Sequence, residues 1–485
     1  MNISVKQESG NREFAYFNEI EEKAFNIGME VARQLIRVAL EQEDMTLMSE
    51  RDVKRFRDKG LRKTCIKTKC GSVEFRRRVY EDKLAQKEKY TYLLDEKIGI
   101  NKVGLISESV CKMISTSICE STYRATANQI SDLTGLGLSA QAVWNVVQSL
   151  GKSQFELSER YAELAKEKQG TGIIETPIIY EENDGIWIKL QGEDRKESGP
   201  SKEMKVGIAY DGVTYHESSD GKRRRILDNK LAFAGFMPIN DFREQKEGLI
   251  ASIYDTEKIQ LRVINGDGAT WIQKKKGENS ICVLDEFHRN KKIRECVKNK
   301  EHAELIYEEL FNGDYDYLLE YIDAMANSVE DEDEIEGLKT LYSYYSENRE
   351  ALPNYYDRGI KIPETRDPGV IHHARLGSME SNVFTLIGNR MKGRRKVWSI
   401  RGANNLAAIL CAYHTVGFEK LFYNMPSAPI KAPEWIDTGK PLTGQAIKEY
   451  IGKGYEYPVQ VNISTAPTWL RKALRISDLN ELKYI

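Results

Sequence analysis

The spacing of apolar residues divides the chain into a helical first third and a later part in which strands and helices mix. Apolar side chains recur every three or four residues from 13 to 48, which predicts one long amphipathic helix. Such a stripe is typical of a helix that packs on a neighbour, within the chain or across a dimer. Residues 107–151 continue the helical pattern, and residues 152–172 predict a charged linker helix.

After residue 173 the sequence pattern changes from helical spacing to runs of residues that favour β-strands. The first run is interrupted at Asn183-Asp184-Gly185, which predicts a turn between two strands. Several strands followed by a helix and another strand predict a mixed α/β sheet. The runs that predict strands cover residues 177–190, 204–210, 230–236, 261–264 and 280–284.

The last third returns to helical patterns. Residues 289–376 predict mainly helices, with an acidic run at 330–334 that is typical of a solvated face. A further helix begins near Gly377 and leads into a basic segment, and residues 402–422 are again helical. Repeated prolines beyond residue 426 predict a loosely structured tail.

Composition narrows the class of protein only in part. With 485 residues, 40% of them hydrophobic and 30% charged, the chain predicts a globular protein of two to four domains. The net charge of −2 indicates no particular partner. The positive charges are clustered along the chain, however, and these clusters indicate where a partner could bind. Seven cysteines, with one isolated Cys65-x4-Cys70 pair, argue against a disulfide framework and against a zinc site. The first residues lack an apolar targeting segment, so we expect a cytoplasmic protein without membrane association.

Two regions of the N-terminal part predict contacts with nucleic acid. The segment from Arg55 to Arg78 contains ten basic residues and two acidic ones. Its side chains alternate as in two adjacent strands, so it predicts a basic β-hairpin that could contact nucleic acid. The alternative is a solvated charged hairpin. Residues 125–134 and the helix capped by Ser139 are joined by Gly135-Leu136-Gly137-Leu138, the outline of a helix-turn-helix. Its outward side chains would be Gln141, Trp144, Asn145 and Gln148.

Three acids lie where the chain changes direction. Asp267 follows a buried strand between Gly266 and Gly268, Asp184 lies in the predicted turn, and Glu380 lies in the first turn of a helix. Scattered carboxylates of this kind hold the paired Mg²⁺ ions that serve phosphoryl transfer. The alternative for Asp267 is an ordinary helix N-cap.

The short sequence motifs around these acids, here called words, resemble those of the ISLre-two type of bacterial insertion-sequence transposase, which is related to the Mutator-like transposases. The resemblance extends from 68–71 and 77–80 to about Arg401, and it depends on the order of four words. They are Glu182-Asn183-Asp184-Gly185 with Leu190-Gln191, Asn265-Gly266-Asp267-Gly268-Ala269-Thr270-Trp271-Ile272, Leu284-Asp285-Glu286-Phe287-His288, and Met379-Glu380-Ser381.

This resemblance implies an RNase H-like catalytic core with an Asp-Asp-Glu triad and a helical insertion before the glutamate. Asp184, Asp267 and Glu380 are then the three acids, and the gap before Glu380 is long enough for the helices of 289–376. Asn183 stands where the first word commonly has alanine, which leaves Glu182 as an alternative first acid. His288, in an Asp-x-x-His word with Asp285, is implied to order the site or the DNA ends rather than to bind zinc.

The resemblance also implies cofactors and partners. The cofactor would be two Mg²⁺ or Mn²⁺ ions, and the partners would be terminal inverted repeats, target DNA and further copies of the chain in a dimer or larger assembly. In a bacterial cell the protein would associate with the nucleoid. The residues predicted to contact DNA are Arg76, Arg77, Arg78, Gln141, Asn145, Arg390, Lys392, Arg394, Arg395 and Lys396.

The predicted activity is DNA cleavage at element ends followed by strand transfer into a target. Two alternatives remain at this point: a nuclease of the same fold that does not join DNA, and a non-catalytic DNA-binding regulator. The predicted organisation is an N-terminal helix (1–50), a basic hairpin region (51–100), a helix-turn-helix-like domain with linker (101–172), a core in two parts (173–288 and 377–425), a helical insertion (289–376) and a tail (426–485).

Overall fold

A computed structural model describes most of the chain from residue 11 to residue 415. The described residues are 11–85, 89–99, 105–217, 221–269, 272, 279–364, 376–393 and 395–415. Three predictions lie outside them: the helix expected between the strand runs 261–264 and 280–284, the DNA-contacting role of Arg394, and the tail at 426–485.

Fourteen α-helices run through the described residues. They are α1 (Asn11–Glu50), α2 (Leu93–Ile98), α3 (Glu108–Glu120), α4 (Tyr123–Thr134), α5 (Ala140–Lys166), α6 (Gly192–Ser198), α7 (Ile239–Ala251), α8 (Glu286–Cys296), α9 (Lys300–Asn312), α10 (Tyr315–Ser328), α11 (Glu332–Glu347), α12 (Met379–Val383), α13 (Asn389–Met391) and α14 (Ile400–Tyr413). A π-helical turn, Phe384–Gly388, joins α12 to α13. Within the described ranges, every helix is too short or too polar to span a membrane.

The same residues contain ten strands. They are β1 (Phe56–Thr68), β2 (Gly71–Asp82), β3 (Tyr90–Thr91), β4 (Ile178–Lys189), β5 (Ser201–Tyr210), β6 (Gly212–Glu217), β7 (Arg223–Asp228), β8 (Leu231–Gly235), β9 (Leu261–Gly266) and β10 (Ser280–Leu284). They form a five-stranded sheet, a three-stranded sheet of β1, β2 and β3, and the two-stranded ribbon of β6 and β7.

The chain forms two compact units. The first contains the described residues of Met1–Gln42, Lys63–Phe75 and Asp95–Ile430, and therefore holds the five-stranded sheet and all the candidate acids. The second contains Glu43–Arg62 and the described residues of Arg76–Leu94.

The five-stranded sheet has the order β10-β9-β4-β5-β8. Strands β4, β9 and β10 are parallel, while β5 is antiparallel to both β4 and β8, so one strand runs against the other four. Because parallel strands end at the same edge of a sheet, the residues that follow β9 and β10 lie close together. This arrangement confirms the mixed α/β sheet that the sequence predicts.

Helices cover both faces of this sheet. Alternation along β4 directs Tyr180 and Ile186 into a core shared with α5 and α14, and directs Ile179 into a second core with Ile250 of α7. Helix α5 packs closely on α14, because a Cβ at Gly151 would lie 2.3 Å from the Asn405 carbonyl oxygen. Helix α5 also continues to Lys166, so the segment predicted as a separate linker is its second half.

A buried ionic cluster fastens β4 to α7 and β9. Glu181 is fully buried, and its carboxylate lies 2.6 Å from Lys246 Nζ and 3.0 Å from Arg262 Nη1. Arg262 also pairs with Glu247 of α7 at 2.7 Å. Two cations against two carboxylates leave the cluster balanced, which offsets the cost of burying its charges.

The helices between β10 and α12 form a separate layer. Helices α8 to α11 share a core in which Leu310, Leu318 and Leu338 pack with Ile264 and Leu284 of the sheet. This layer confirms the helices predicted for 289–376 as far as residue 364. The helix-turn-helix outline is also confirmed: α4 ends at left-handed Gly135, and the Ser139 side chain accepts a hydrogen bond from Ala142 N at the start of α5.

The turn predicted at Asn183-Asp184-Gly185 is wrong. Strand β4 continues through these residues, with Asp184 opposite Val206 of β5. Pairing with β5 along the whole stretch overrides the local turn signal. Asp184 therefore projects from the middle of a strand rather than from a turn.

Candidate active site

Strand β4 presents two acids on one face of the large sheet. Glu182 and Asp184 are two residues apart, so both side chains project to the face that also carries Tyr180. Asp184 is 8% exposed and Glu182 is fully buried. The surroundings of the two carboxylates differ, and this difference separates their roles.

The Glu182 carboxylate is occupied by hydrogen bonds from the protein. It accepts from Tyr210 Oη at 2.7 Å and from Asn265 Nδ2 at 2.9 Å. It also accepts from the backbone N–H groups of Gly377 and Ser378, each at 3.0 Å. These donors satisfy both oxygens and fix the loop that leads into Glu380. The geometry therefore favours Glu182 as an anchor for the site.

Asp267 follows β9 directly and is held by its neighbours. Its Oδ1 accepts a hydrogen bond from Ala269 N at 2.8 Å, and its carbonyl oxygen accepts one from Tyr344 of α11 at 2.6 Å. Gly268 adopts φ +91°, and a Cβ there would lie 2.9 Å from the Asn348 side chain. The flanking glycine thus allows both the turn and the close approach of α11.

Glu380 lies in the first turn of α12 and is exposed. Gly377 adopts φ +100°, which only glycine reaches without strain, and this bends the chain into the helix. The Phe384 ring lies one turn further along and is 63% exposed, and a Cβ at Gly388 of the π-helical turn would lie 3.4 Å from it.

Asp184 lies within electrostatic range of both other predicted acids. The pKa of Asp184 is raised to about 6, chiefly by burial and additionally by the negative charges of Asp267 and Glu380. The positive charge of His288 and a hydrogen bond from Gly185 N act in the opposite direction. Within the described ranges, no three His, Cys, Asp or Glu side chains form a complete metal-ligand set. Asp184 therefore lies near enough to both other acids to feel their charge, without the three forming a complete metal-ligand set.

His288 lies beside these acids at the same edge of the sheet. Burial lowers its pKa, but a hydrogen bond to Asp285 and the charges of Asp184 and Asp267 outweigh this, so the pKa of His288 is raised. Its Nδ1 lies 3.2 Å from Asp285 Oδ1. The exposed ring of Phe287 stacks edge-on against the imidazole, with ring centroids 5.4 Å apart.

Asp285 connects the parallel strands to α8. It caps the helix by accepting hydrogen bonds from Phe287 N and His288 N. Asn265 Nδ2 donates to Asp285 Oδ2 at 2.9 Å as well as to Glu182. Burial would raise the pKa of Asp285, yet its hydrogen bonds with His288 and Asn265 hold the pKa below its usual value. Asn265 is therefore a bridge between the two acids, which the sequence reading missed because an amide in a strand carries no distinctive pattern.

Several residues predicted to contact DNA are committed to the protein interior instead. Arg390 is 5% exposed, donates from Nε to the Ile118 carbonyl oxygen at 2.7 Å, and faces the rings of Tyr123 and Trp398. Gln148 is also buried, where it accepts a hydrogen bond from Asn405. The guanidinium of Arg390 serves helix packing, so we withdraw Arg390 as a DNA contact. Gln148 does not face outward as predicted.

Three adjacent arginines of the basic hairpin, which lie in the second unit, also differ in whether they are buried or exposed. Arg78 is buried and pairs with Asp44 at 2.5 Å, and buried Arg77 lies 4.0 Å from the centroid of the Tyr92 ring. Arg76 is exposed. Of the three adjacent arginines, only Arg76 keeps the orientation expected for a DNA contact.

The other predicted contact residues lie at the surface or beside it. Gln141 and Asn145 are exposed and hydrogen-bond to each other across one turn of α5, at 3.0 Å. Lys392 and Arg395 are exposed beyond the end of α13. Lys396 is half-buried, and its Nζ donates to the Arg390 carbonyl oxygen at 2.6 Å, which caps that helix end.

Replacing Asp184 by asparagine is expected to stabilise the metal-free protein. The folded pKa of about 6 exceeds the unfolded value near 4, so ionisation opposes folding as pH rises between these values. Two pKa units correspond to about 3 kcal/mol as an upper bound. In chelator, Asp184→Asn should unfold at higher denaturant than wild type at pH 8 and match it near pH 4. A variant less stable than wild type at pH 8 would contradict the raised pKa of Asp184.

The fold and this group of acids define an α/β protein with a carboxylate-rich site at one edge of a mixed sheet. The chain belongs to the family described as Uncharacterised protein family (UPF0236), which it matches over residues 11–420. That range includes all three acids and His288.

Relatives of the chain come from Caldanaerobacter subterraneus subsp. tengcongensis. The UPF0236 protein TTE2489 is 27% identical over 392 residues, which cover 78% of this chain and 74% of the relative. The UPF0236 protein TTE0610/TTE0881/TTE1053/TTE2432 is 27% identical over 348 residues, covering 70% and 68%. A third, whose name joins eleven TTE designations, is 24% identical over 391 residues, covering 78% and 74%. Coverage of the relatives falls to 63% for another UPF0236 protein.

Proposed function

We propose that this chain is a DNA transposase of the ISLre-two type that cuts element ends and joins them to target DNA. The observation that carries the proposal is the electrostatic coupling of Asp184 to both Asp267 and Glu380, which come from a strand, a strand end and a helix. Acids far apart in sequence that gather at one sheet edge are typical of a site that holds divalent cations.

The arrangement of strands supports an RNase H-like core. Such a core is a mixed sheet with helices on both sides, and the five-stranded sheet here has one reversed strand, β5, with α7 on one face and α5 and α14 on the other. The first acid projects from central strand β4, the second follows neighbouring β9, and the third lies on α12, which packs over β4. The helical layer α8–α11 occupies the place of the predicted insertion.

The donor set suits the proposed cofactor. Asp184, Asp267 and Glu380 would hold two Mg²⁺ or Mn²⁺ ions, which lower the pKa of an attacking water or 3′-hydroxyl and stabilise the leaving oxygen. Cations would also favour the ionised form of Asp184, whose pKa is raised chiefly by burial and additionally by the other two acids. The carboxylates would have to move closer together to share the ions, and the exposed position of Glu380 at the start of its helix leaves its side chain room to do so.

The remaining residues of the site would position these acids and the DNA. Glu182 and Asn265 hold the strand ends and the loop before Glu380 in place, while His288 offers a positive charge toward phosphate. Lys392 lies exposed directly after α13, twelve residues beyond Glu380, where it can contact the DNA backbone. The exposed rings of Phe287 and Phe384 are available for stacking on nucleobases.

The relatives offer a second line of support. One related UPF0236 protein carries eleven designations within a single strain. A single name with many designations is what repeated copies of one gene would give, and repeated copies are typical of mobile elements. The observation concerns that relative, and it favours a transposase over a nuclease or a regulator for this chain.

The test is plasmid-to-plasmid joining by the wild-type protein. A donor plasmid would carry the DNA that flanks this gene on both sides, and a second plasmid would serve as target. We expect joined products only when the protein and both flanks are present. Cleavage of the donor without joining would instead identify a nuclease, and binding without cleavage would identify a regulator.

A further inference from the structure

We propose that the ribbon formed by β6 (Gly212–Glu217) and β7 (Arg223–Asp228), here called the basic arm, inserts into a groove of the DNA that the active site processes. The inference rests on the proposed function and adds a DNA-binding element to it. No residue of this arm belongs to the predicted DNA-contact set.

The arm leaves the sheet and reaches solvent. At its base Gly212 and Val213 are buried, whereas every described residue from Tyr215 to Arg224 is exposed. Among the described strands, β6 and β7 pair with each other alone, from Gly212 opposite Asp228 to Glu217 opposite Arg223. Six residues at about 3.3 Å each give a ribbon roughly 20 Å long. An isolated ribbon of this kind is marginally stable in water, so a partner that covers it would add to its stability.

The exposed part of the arm carries groups that suit DNA. Arg223, Arg224 and Tyr215 are exposed, and the Tyr215 side chain lies on the same face as Arg225 opposite it. The pair between Arg223 and Glu217 is long, at 4.0 Å, and both side chains are 77% exposed. Such a pair contributes little, so Arg223 can exchange it for a phosphate at small cost. The major groove of DNA admits a two-stranded β-ribbon, and arginine forks recognise both phosphates and guanine edges.

The base of the arm adjoins the face that carries the acids. Strand β6 begins two residues after Tyr210, whose hydroxyl donates to Glu182. Lys230, two residues after β7, donates from Nζ to Asn382 Oδ1 at 3.1 Å, and Asn382 lies two residues after Glu380. DNA that crosses the acids would therefore pass the root of the arm, and the arm is long enough to follow it into a groove.

The first experiment measures binding of the full chain to a duplex carrying one flank of its gene, in chelator so that no cleavage occurs. The variant Arg223→Ala/Arg224→Ala should bind about tenfold more weakly near 0.15 M salt, and the slope of log affinity against log salt should fall by about 1 to 2. Glu217→Gln should change affinity in the opposite direction, because it removes an acid from the arm. The matched control is Lys300→Ala/Lys339→Ala, which removes two exposed cations from the helical layer.

The second measurement is hydrogen exchange of the wild-type chain with and without the same duplex. We expect DNA to slow exchange at residues 212–217 and 223–228. The inference is overturned if the arm variant and the control change the salt slope equally, or if exchange in the arm is unaffected by bound DNA. Both measurements omit metal, so they test this inference independently of the proposed function. If the chain binds DNA through the arm but does not cut or join it, the inference stands and the transposase proposal is wrong. If it cuts and joins DNA while the arm takes no part in binding, the transposase proposal stands and the inference is wrong.

Discussion

Replacing Asp267 by asparagine is expected to abolish cleavage and joining of DNA. Asparagine keeps the Oδ1 atom that accepts from Ala269 N, so the turn after β9 should survive. It loses the negative charge that a divalent cation needs, and metal stabilisation of the transition state amounts to several kcal/mol. The rate should therefore fall about 10³-fold or more. The measurement is the rate of Mg²⁺-dependent cleavage of a duplex carrying the gene's flank.

Two controls make the Asp267 result specific. Asp241→Asn makes the same chemical change at an exposed position in the first turn of α7, and should leave the rate unchanged. Binding of Asp267→Asn to the same duplex in chelator should match wild type, because the substitution leaves the DNA-contacting residues intact. If Asp267→Asn cleaves at the wild-type rate, Asp267 is not a metal ligand and the triad is wrong.

Replacing Glu182 by glutamine is expected to destabilise the fold, opposite in sign to Asp184→Asn. All the partners of Glu182 are donors: Tyr210, Asn265 and the N–H groups at 377 and 378. A glutamine amide presents its own donors to them, so buried groups lose their acceptors at about 1–3 kcal/mol each. The total should reach about 3–5 kcal/mol in the free energy of unfolding, measured by denaturant titration in chelator.

A surface substitution provides the comparison for Glu182. Glu257→Gln lies on an exposed turn and should leave the free energy of unfolding within about 0.5 kcal/mol of wild type. Cleavage by Glu182→Gln should also fall, because the loop before Glu380 loses its anchor. If Glu182→Gln is as stable as wild type and still loses all cleavage, Glu182 rather than Asp184 is the first acid of the triad.

Much of this fold can be predicted from the sequence because many of its helices and strands are determined by residues close together in the chain. The helix at 13–48 follows from apolar spacing, and the break between α4 and α5 follows from Gly135 and the Ser139 cap. Strands β5, β8, β9 and β10 lie where β-rich runs predict them. The basic hairpin forms as predicted, with its turn at residues 69–70.

The predictions that fail depend on partners distant in sequence. Asn183-Asp184-Gly185 has the composition of a turn, but β5 pairs with it throughout and keeps it in a strand. Arg390 lies in a basic segment, yet its guanidinium meets Ile118 and Tyr123 from helices more than 250 residues earlier. No local pattern distinguishes such an arginine from one that faces DNA.

The site shows the same limit. The sequence motifs around Asp184, Asp267 and Glu380 identify the three candidate acids. The sequence alone leaves Glu182 and Asp184 as alternatives for the first acid. The hydrogen bonds from residues 377 and 378 to Glu182 separate them, because these bonds occupy its oxygens. Such bonds span almost 200 residues of chain, so they follow from the tertiary fold alone.

The measurement that tests the transposase most directly is joining from an end that has already been cut. Purified wild-type protein would receive Mg²⁺, a target plasmid and a short duplex carrying the gene's flank with a 3′-hydroxyl at the cut. The same duplex with a 3′-dideoxy end is the control. The proposal predicts covalent joining of the 3′-hydroxyl duplex to the plasmid, and none from the dideoxy duplex or after chelation. Absence of joined product from the 3′-hydroxyl duplex, while the same protein cleaves DNA, would contradict it.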